Sequence, residues 1–357
     1  MDIQELTLSD FPFSNGAFDK LTAVTVHTEV FSSSLLAEAA FIVPVHNQAS
    51  AISANLDSIR QHSMLDHEIV VIIDGCTDGT LAVIFNWLAA CKAAPGRTVR
   101  VTVVDIPTGV FETMSDAIGI HLSMARAIIE VQADMSITHP GFDSELTRAL
   151  EMNPEIFALS GRGAHSFSRV SPLLPRPKIV SRIAFRVARK ITRILHARAL
   201  AYAPSAMQFA FSDEIGRVGD LIDLPTRRQE TKRIYVLGTV MRGPLAFSRE
   251  RYSALGGLDT ARFFLGNDDH DLVSRAWCQL RLKSGYLPIS FLSPLESGST
   301  RAIKSAKEQA RFEELTRHYQ DAQRTSVLFN QIDIRAPKKQ VIRVPKDNSP
   351  VRVEFAG

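Results

Sequence analysis

Five short apolar runs rich in β-branched residues recur along the first half of the chain: FIVPV from Phe41, EIVVIID from Glu68, VRVTVVDI from Val99, AIIEVQAD from Ala127 and IFALSG from Ile156. Their starts lie about 30 residues apart, and within each run apolar residues stand at successive rather than alternate positions. That is the pattern of strands buried on both faces. Between the runs the apolar period lengthens to that of a helix. Ile52, Leu56 and Ile59 share one face, Leu81 to Ala94 follows a Thr-Asp-Gly start, Met114, Ile118 and Leu122 share another face, and Phe142 to Leu150 completes the series. Strand and helix alternating at this spacing predict an α/β fold built on a mostly parallel, Rossmann-like sheet with helices on both faces, because parallel neighbours need a crossover between them.

After residue 160 the rhythm breaks at a Pro-rich stretch, SPLLPRPK. The pattern then predicts a helix over about 178–200, a strand at GPLAFS, a helix from Asn267 to about Leu282 and a polar outer helix from Lys304 to Arg324. The last 33 residues are basic and weakly patterned.

Composition excludes several classes. With 357 residues, 45% hydrophobic and 22% charged, the chain is neither disordered nor fibrous and can bury a sizeable core. Three cysteines, Cys76, Cys91 and Cys278, are too few and too widely spaced for a disulfide framework or a zinc site. The first residues carry acids where a secretory signal needs basic residues, and no apolar run reaches the length of a membrane span, so the expectation is a cytoplasmic protein. The net charge of +3 hides a segregation: between Glu155 and Asp213 there is no acid but ten Lys or Arg, which leaves the rest of the chain acidic. On a helical projection of 178–200, Arg182, Arg186, Arg189, Lys190 and Arg193 form one face and Ile183, Val187, Ile191 and Leu195 the opposite one. A solvated surface helix explains this as well as an in-plane helix on an anionic leaflet does. With Phe185 its only aromatic residue, base stacking and nucleic acid are disfavoured.

In open parallel sheets ligands bind at the carboxyl ends of the strands. Here those ends are polar and acidic: Pro44-Val45-His46-Asn47-Gln48, then Asp74-Gly75-Cys76-Thr77-Asp78-Gly79-Thr80, then Gln132-Ala133-Asp134. Neither GxGxxG nor GxxxxGK[ST] occurs, which disfavours dinucleotide-binding and P-loop readings. Acids on one edge would repel a phosphorylated ligand unless a divalent cation such as Mg²⁺ or Mn²⁺ lies between them.

Read together, FIVPVHNQ followed by IIDGCTDGT resembles the opening half of family 2 glycosyltransferases of GT-A fold. Gln132 to Asp134 falls where that family carries its metal-binding DxD, Gly256 to Asp259 resembles its GGFD segment, and Gly266 to Arg275 (GNDDHDLVSR) resembles its acidic block before the C-terminal part. The resemblance covers roughly residues 40–295. It implies an inverting transfer of a sugar from a nucleoside-diphosphate sugar to a hydroxyl of a glycan or lipid-linked acceptor. By the same carry-over Asp269 is the base, with Asp268 as the alternative. Pro44, His46, Asn47, Asp74, Asp78, Gln132 and Asp134 line the donor, and Asp134 holds the metal. FETMSD at 111–116 together with QAD resembles bacterial surface-polysaccharide glycosyltransferases, which adds an expected place at the inner face of the plasma membrane.

Two positions depart from the family pattern: Ile73 stands where an acid usually precedes Asp74, and Gln132 replaces the first acid of DxD. These departures keep a second reading open, a nucleotide-sugar-binding or scaffold protein without turnover. A third, a sugar nucleotidyltransferase, calls for a Gly-rich basic loop that PVHNQ is not. Helix capping alone also accounts for acids at Asp78 and at Asp268-Asp269, and Asp271 is expected to pair with Arg275 one turn on. Glu130, buried or edge-facing on an apolar strand, needs a partner if it is buried, and the sequence names none. The expected organisation is an N-terminal extension (1–38), one GT-A-like domain (39–300, with a donor half 39–139 and an acceptor half 140–300) and a C-terminal helix and tail (301–357).

Overall fold

The computed structural model describes residues 1–32, 36–162, 232–237, 240–287, 289–292, 306–326, 340–344 and 353–355. The predicted basic helix over 178–200 lies outside the described residues.

The five apolar runs form the centre of one sheet. They are β3 (Ala39–Val45), β4 (His67–Asp74), β5 (Thr98–Ile106), β6 (Ala127–Glu130) and β8 (Ile156–Arg162). The helices between them are α1 (Ile52–His62), α2 (Thr80–Ala93), α3 (Phe111–Leu122) and, after the short β7 (Ser136–Ile137), α4 (Phe142–Met152). In the order β5-β4-β3-β6 every neighbour is parallel, as βαβ units require. The sheet is extended by antiparallel pairings that the 30-residue rhythm does not announce. On one side β2 (Ala23–Val30) pairs with β5 and β1 (Asp2–Thr7) pairs with β2. On the other, β10 (Met241–Ser248) lies antiparallel between β6 and β8. Beyond β8 come β11 (Lys283–Tyr286), parallel to β8, then β9 (Lys232–Leu237), β13 (Gln340–Val344) and β14 (Val353–Phe355), for twelve strands in all among the described residues. Strand β12 (Phe291–Leu292) pairs with β7.

Alternation along β3 and β4 divides the core. Phe41, Val43, Ile69, Val71 and Ile73 pack under α1, α2 and α4 through Leu56, Ile84, Trp87 and Leu146. Ile42, Val70 and Ile72 pack on the other face against Met114 and Ile118 of α3. That second face also carries Leu272 and Val273 of α6 (Asp268–Leu280), and Leu315 and Tyr319 of α7 (Ala306–Arg324). Helices therefore cover both faces, as the sequence predicts. The short α5 (Arg249–Ala254) starts at Ser248, whose hydroxyl accepts the Arg251 N–H. Among the described residues no helix is long and apolar enough to cross a membrane.

One buried group at the opposite, amino end of β4 contains Ser63, His67 and Asp143, but its wiring is structural. Asp143 accepts the Ser63 hydroxyl and the Met64 and Leu65 N–H groups, while the His67 ring sits between Ser63 Oγ and Thr98 Oγ1. Asp143 thus fixes the turn into β4, where a lone carboxylate would be costly without those donors.

Candidate active site at the carboxyl edge

Pro44 is tolerated in a central strand because the β3–β6 ladder ends at Ile42, leaving its missing N–H on the side where pairing has stopped. Beyond Val45 the chain turns at Asn47, with φ +52°. The Asn47 side chain accepts the Thr77 and Asp78 N–H groups at 2.8 and 3.3 Å, tying the turn after β3 to the one after β4. His46 Nδ1 lies 2.6 Å from the Asp74 carbonyl oxygen. Asp78 accepts the Thr80 N–H at 3.0 Å and the Ala49 N–H at 3.1 Å, and Thr80 Oγ1 in turn accepts the Gln48 N–H. Burial pushes the Asp78 carboxyl up, but the Thr80 and Ala49 bonds outweigh it and hold the acid below its ordinary value. Asp78 is not the N-cap of α2, which is Gly79 and makes no side-chain cap bond; it closes a turn onto the Thr80 N–H instead, and these bonds shape the loop.

Asp74, buried at the end of β4, accepts the Val110 N–H at 2.5 Å. Burial raises its pKa, against that bond and the charge of His46, which lower it. Gly75 follows with φ +58°, and a Cβ there would stand 2.7 Å from the Gly109 nitrogen. Only glycine lets the two loops approach this closely.

The Gln132–Met135 turn closes with the Met135 N–H on the Gln132 carbonyl. Asn55 of α1, fully buried, donates to both the Gln132 and Met135 carbonyls at 2.9 and 2.6 Å. Asp134, half-buried, is held on this braced turn. Among the described residues no three His, Cys, Asp or Glu side chains come together as a metal-holding group. Gln132 donates to Glu112 Oε1 at 3.3 Å.

Glu112 belongs to an assembly centred on Arg242 of β10. The Arg242 guanidinium, 5% exposed, lies 3.3 Å from Glu112, 2.6 Å from Asp116 and 3.1 Å from Glu130, and it grips Asp268 through two bonds of 3.0 and 2.6 Å. Its main-chain N–H faces Asp269 Oδ2 at 3.4 Å, and Asp269 Oδ1 accepts the His270 N–H. Glu130 is buried, and its partner is Arg242. The two aspartates differ in kind: burial pushes Asp268 up, yet the Arg242 fork more than compensates and holds it below the ordinary value, which makes it a weak proton acceptor. Among the described residues Asp269 is held by main-chain donors, and its carboxylate lies outside the fork.

Four acids around one guanidinium cannot all be ionised in a buried site at neutral pH. Burial raises Asp116 well above, and Glu130 to about 7, both against the attraction of Arg242. Oε1 of Glu130 and Oδ1 of Asp116 have no hydrogen-bond partner among the described residues. Because the folded-state pKa of Glu130 exceeds the ordinary 4.5, the folded chain binds this proton more tightly than the unfolded one. Its contribution to stability is full below about 4.5 and is lost as pH rises through about 7. Glu130→Gln should flatten that slope. Thermal melts across the window are expected to show a smaller fall in Tm for the variant, and an equal fall would contradict this assignment.

The expected pairing of Asp271 with Arg275 is present. Arg275 pairs with Asp271 at 2.7 Å and reaches back to the Leu255 and Gly257 carbonyls, fixing the Gly256–Asp259 segment. From the C-terminal side, α7 brings Glu308 within 3.7 Å of His46 and Arg311 onto the Gly109 carbonyl at 2.9 Å.

The half of the fold that carries His46, Asn47, Asp74 and Asp78 has a known counterpart. Residues 40–118 match the family model of glycosyl transferase family 2. No curated protein sequence matches the chain. Solved structures with a similar chain path include a mannosyltransferase, PcManGT, from Pyrobaculum calidifontis in complex with GDP-Man and Mn²⁺ (16% identity, 85% of this chain and 67% of that one, TM-score 0.44). Two others are S. aureus TarS 1-349 in complex with UDP (12%, 81% and 66%, 0.40) and GalNAc-T7 with UDP, GalNAc and Mn²⁺ (14%, 82% and 50%, 0.48). The chain spans about two thirds of the first two and half of the third. These likenesses assign no ligand and no residue role to this chain.

The structure brings His46, Asn47, Asp74 and Asp78 into one connected edge, and Gln132 and Asp268 into the Arg242 assembly with Asp269 at its rim. The Gly109–Glu112 turn links the two groups, since Val110 binds Asp74 and Glu112 binds Gln132 and Arg242. Sequence reasoning missed Asn55 and Arg242. A polar residue on the apolar face of α1 was the available signal for the first, and the unpartnered Glu130 for the second.

Proposed function

We propose that this chain is an inverting glycosyltransferase that moves a sugar from a nucleoside-diphosphate donor to a hydroxyl of a glycan or lipid-linked acceptor, in the assembly of bacterial surface polysaccharide. The observation that carries the reading is the coincidence of the family-model match, residues 40–118, with the strands whose carboxyl ends carry the connected His46-Asn47-Asp74-Asp78 edge. Asp269 is the group with the chemistry of a base: a carboxylate at the start of α6, 8% exposed and outside the Arg242 fork. It takes the proton of the acceptor hydroxyl as that oxygen bonds to the anomeric carbon; the bond from that carbon to the diphosphate breaks, and the diphosphate leaves with the electron pair. Asp268, locked on Arg242, holds the start of the helix rather than moving the proton.

A divalent cation would neutralise the leaving diphosphate. The residues present fit Mg²⁺ or Mn²⁺ only as part of a donor complex, with Asp134 as one ligand and diphosphate oxygens and water as the rest. Calorimetric titration of UDP, GDP and CMP, with and without Mn²⁺, tests this on wild type and Asp134→Ala. We expect one nucleoside diphosphate to bind selectively, with its cation-dependent gain in affinity lost in the variant. Absence of binding by every nucleotide would remove the donor site and the proposal with it.

A further inference from the structure

We propose that Arg242 is the positioning residue that sets the Asp268-Asp269 carboxylates against the donor half of the site; the inference rests on Asp269 being the base. A guanidinium offers five N–H donors in a rigid planar fork, and here they are distributed over three separate elements. Both terminal nitrogens hold Asp268 at the start of α6, Nε holds Glu130 at the end of β6, and the same terminal nitrogens face Glu112 and Asp116 on α3. The main-chain N–H of the same residue faces Asp269. Glu112 continues the chain of contacts to Gln132, whose carbonyl Asn55 holds in the turn carrying Asp134. The path from the donor-side turn to Asp269 thus runs Gln132, Glu112, Arg242, Asp268.

Two observations separate positioning from mere stabilisation. The first is the start of α6: its N-cap, Asn267, has φ +65° and makes no side-chain cap bond, while Asp268, the first residue of the helix, is tied to β10 through both oxygens by the Arg242 fork. The second is the oversupply of acids. One carboxylate neutralises the charge of an arginine, and a buried ion pair often stabilises no better than apolar packing of similar volume. Four acids on one arginine raise the cost of burial, and what they add is a fixed geometry between elements that meet at the cleft. Asp269 itself touches Arg242 only through the main chain, so the guanidinium acts on it through Asp268 and the helix start.

Arg242→Lys tests this. An ammonium keeps the charge but is a single point donor group and cannot hold both Asp268 oxygens while reaching Glu130. With the donor identified by nucleotide titration, kcat is expected to fall about 100-fold, the scale of a displacement near 1 Å at a reacting group, with the donor KM within about threefold of wild type. Amide hydrogen exchange over 266–272 is expected to quicken at least about tenfold while that of α2 is unchanged. Asp268→Asn, which leaves the arginine in place and weakens the fork from the other side, should repeat the pattern more mildly. A kcat within about threefold of wild type in Arg242→Lys overturns the proposal, as does a rise in exchange that extends equally to α2, which marks a general stabilising role. If the wild type consumes no donor, the base assignment fails on that result. The exchange arm then decides alone: unchanged protection over 266–272 overturns the role of Arg242.

Discussion

Replacing Asp269 by Asn is expected to lower the transfer rate about a thousandfold, within the range a positioned general base contributes, while leaving nucleotide affinity nearly unchanged. The expectation follows from the division of labour at the start of α6. Asp268 spends its carboxylate on the Arg242 fork and is held below its ordinary value. Asp269 keeps its carboxylate on main-chain donors, 8% exposed. Asparagine preserves the acceptor oxygen for the His270 N–H and the volume of the side chain, so the fold should survive and the loss should fall on kcat. Steady-state kinetics beside calorimetry on the same preparation separate the two quantities. A variant that retains wild-type kcat would transfer the role to another acid, and a variant that also loses nucleotide binding would mean that Asp269 belongs to the donor site.

The largest expected effect on stability comes from Gly119, where α3 lies against the sheet so closely that a Cβ would stand 2.6 Å from Ile72 Cδ1 and 2.8 Å from Ile42 Cγ2. Both isoleucines are fully buried in the central strands, and neither can retreat without disturbing the apolar packing on that face. Gly119→Val should therefore destabilise the chain by about 3 kcal/mol, the upper part of the usual range for overpacking, and lower Tm accordingly. The consequence reaches the site, because the same helix carries Glu112 and Asp116 to Arg242. Denaturant unfolding with an unchanged m-value measures the loss; a variant as stable as wild type would show that α3 can shift outward without cost.

The parallel centre of the fold was legible because its signal is local. Every apolar run from Phe41 to Ile156 became a strand and every intervening 3.6-period stretch a helix, with α2 and α6 starting within one residue of the predicted positions. The antiparallel additions were not legible. Strand β1 is a polar edge strand, exposed over most of its length, and β11 has four residues, KSGY, with no periodic pattern to read; both exist because a neighbour's ladder offers hydrogen bonds. The site divides the same way. Asp74, Asp78 and the DDHD block stand at strand ends and helix starts, where position alone nominates them. Arg242 sits inside β10, where an arginine reads as an interruption of an apolar strand, and its meaning comes from three acids on α3 and β6 and one on α6 that are distant in sequence. Asn55, likewise, braces a turn some 80 residues away.

Donor hydrolysis tests the role of Asp269 most directly, because water takes the place of the acceptor hydroxyl as the nucleophile that Asp269 deprotonates and the sugar is released to water. The protein is incubated with a panel of nucleoside-diphosphate sugars, and released nucleoside diphosphate is measured for wild type and Asp269→Asn. Wild type is expected to release nucleoside diphosphate from one donor class, and Asp269→Asn to release it at a rate lower by orders of magnitude. Selective nucleotide binding with no donor consumed by the wild type, with or without glycan acceptors, would contradict it and leave a binding protein on the same fold.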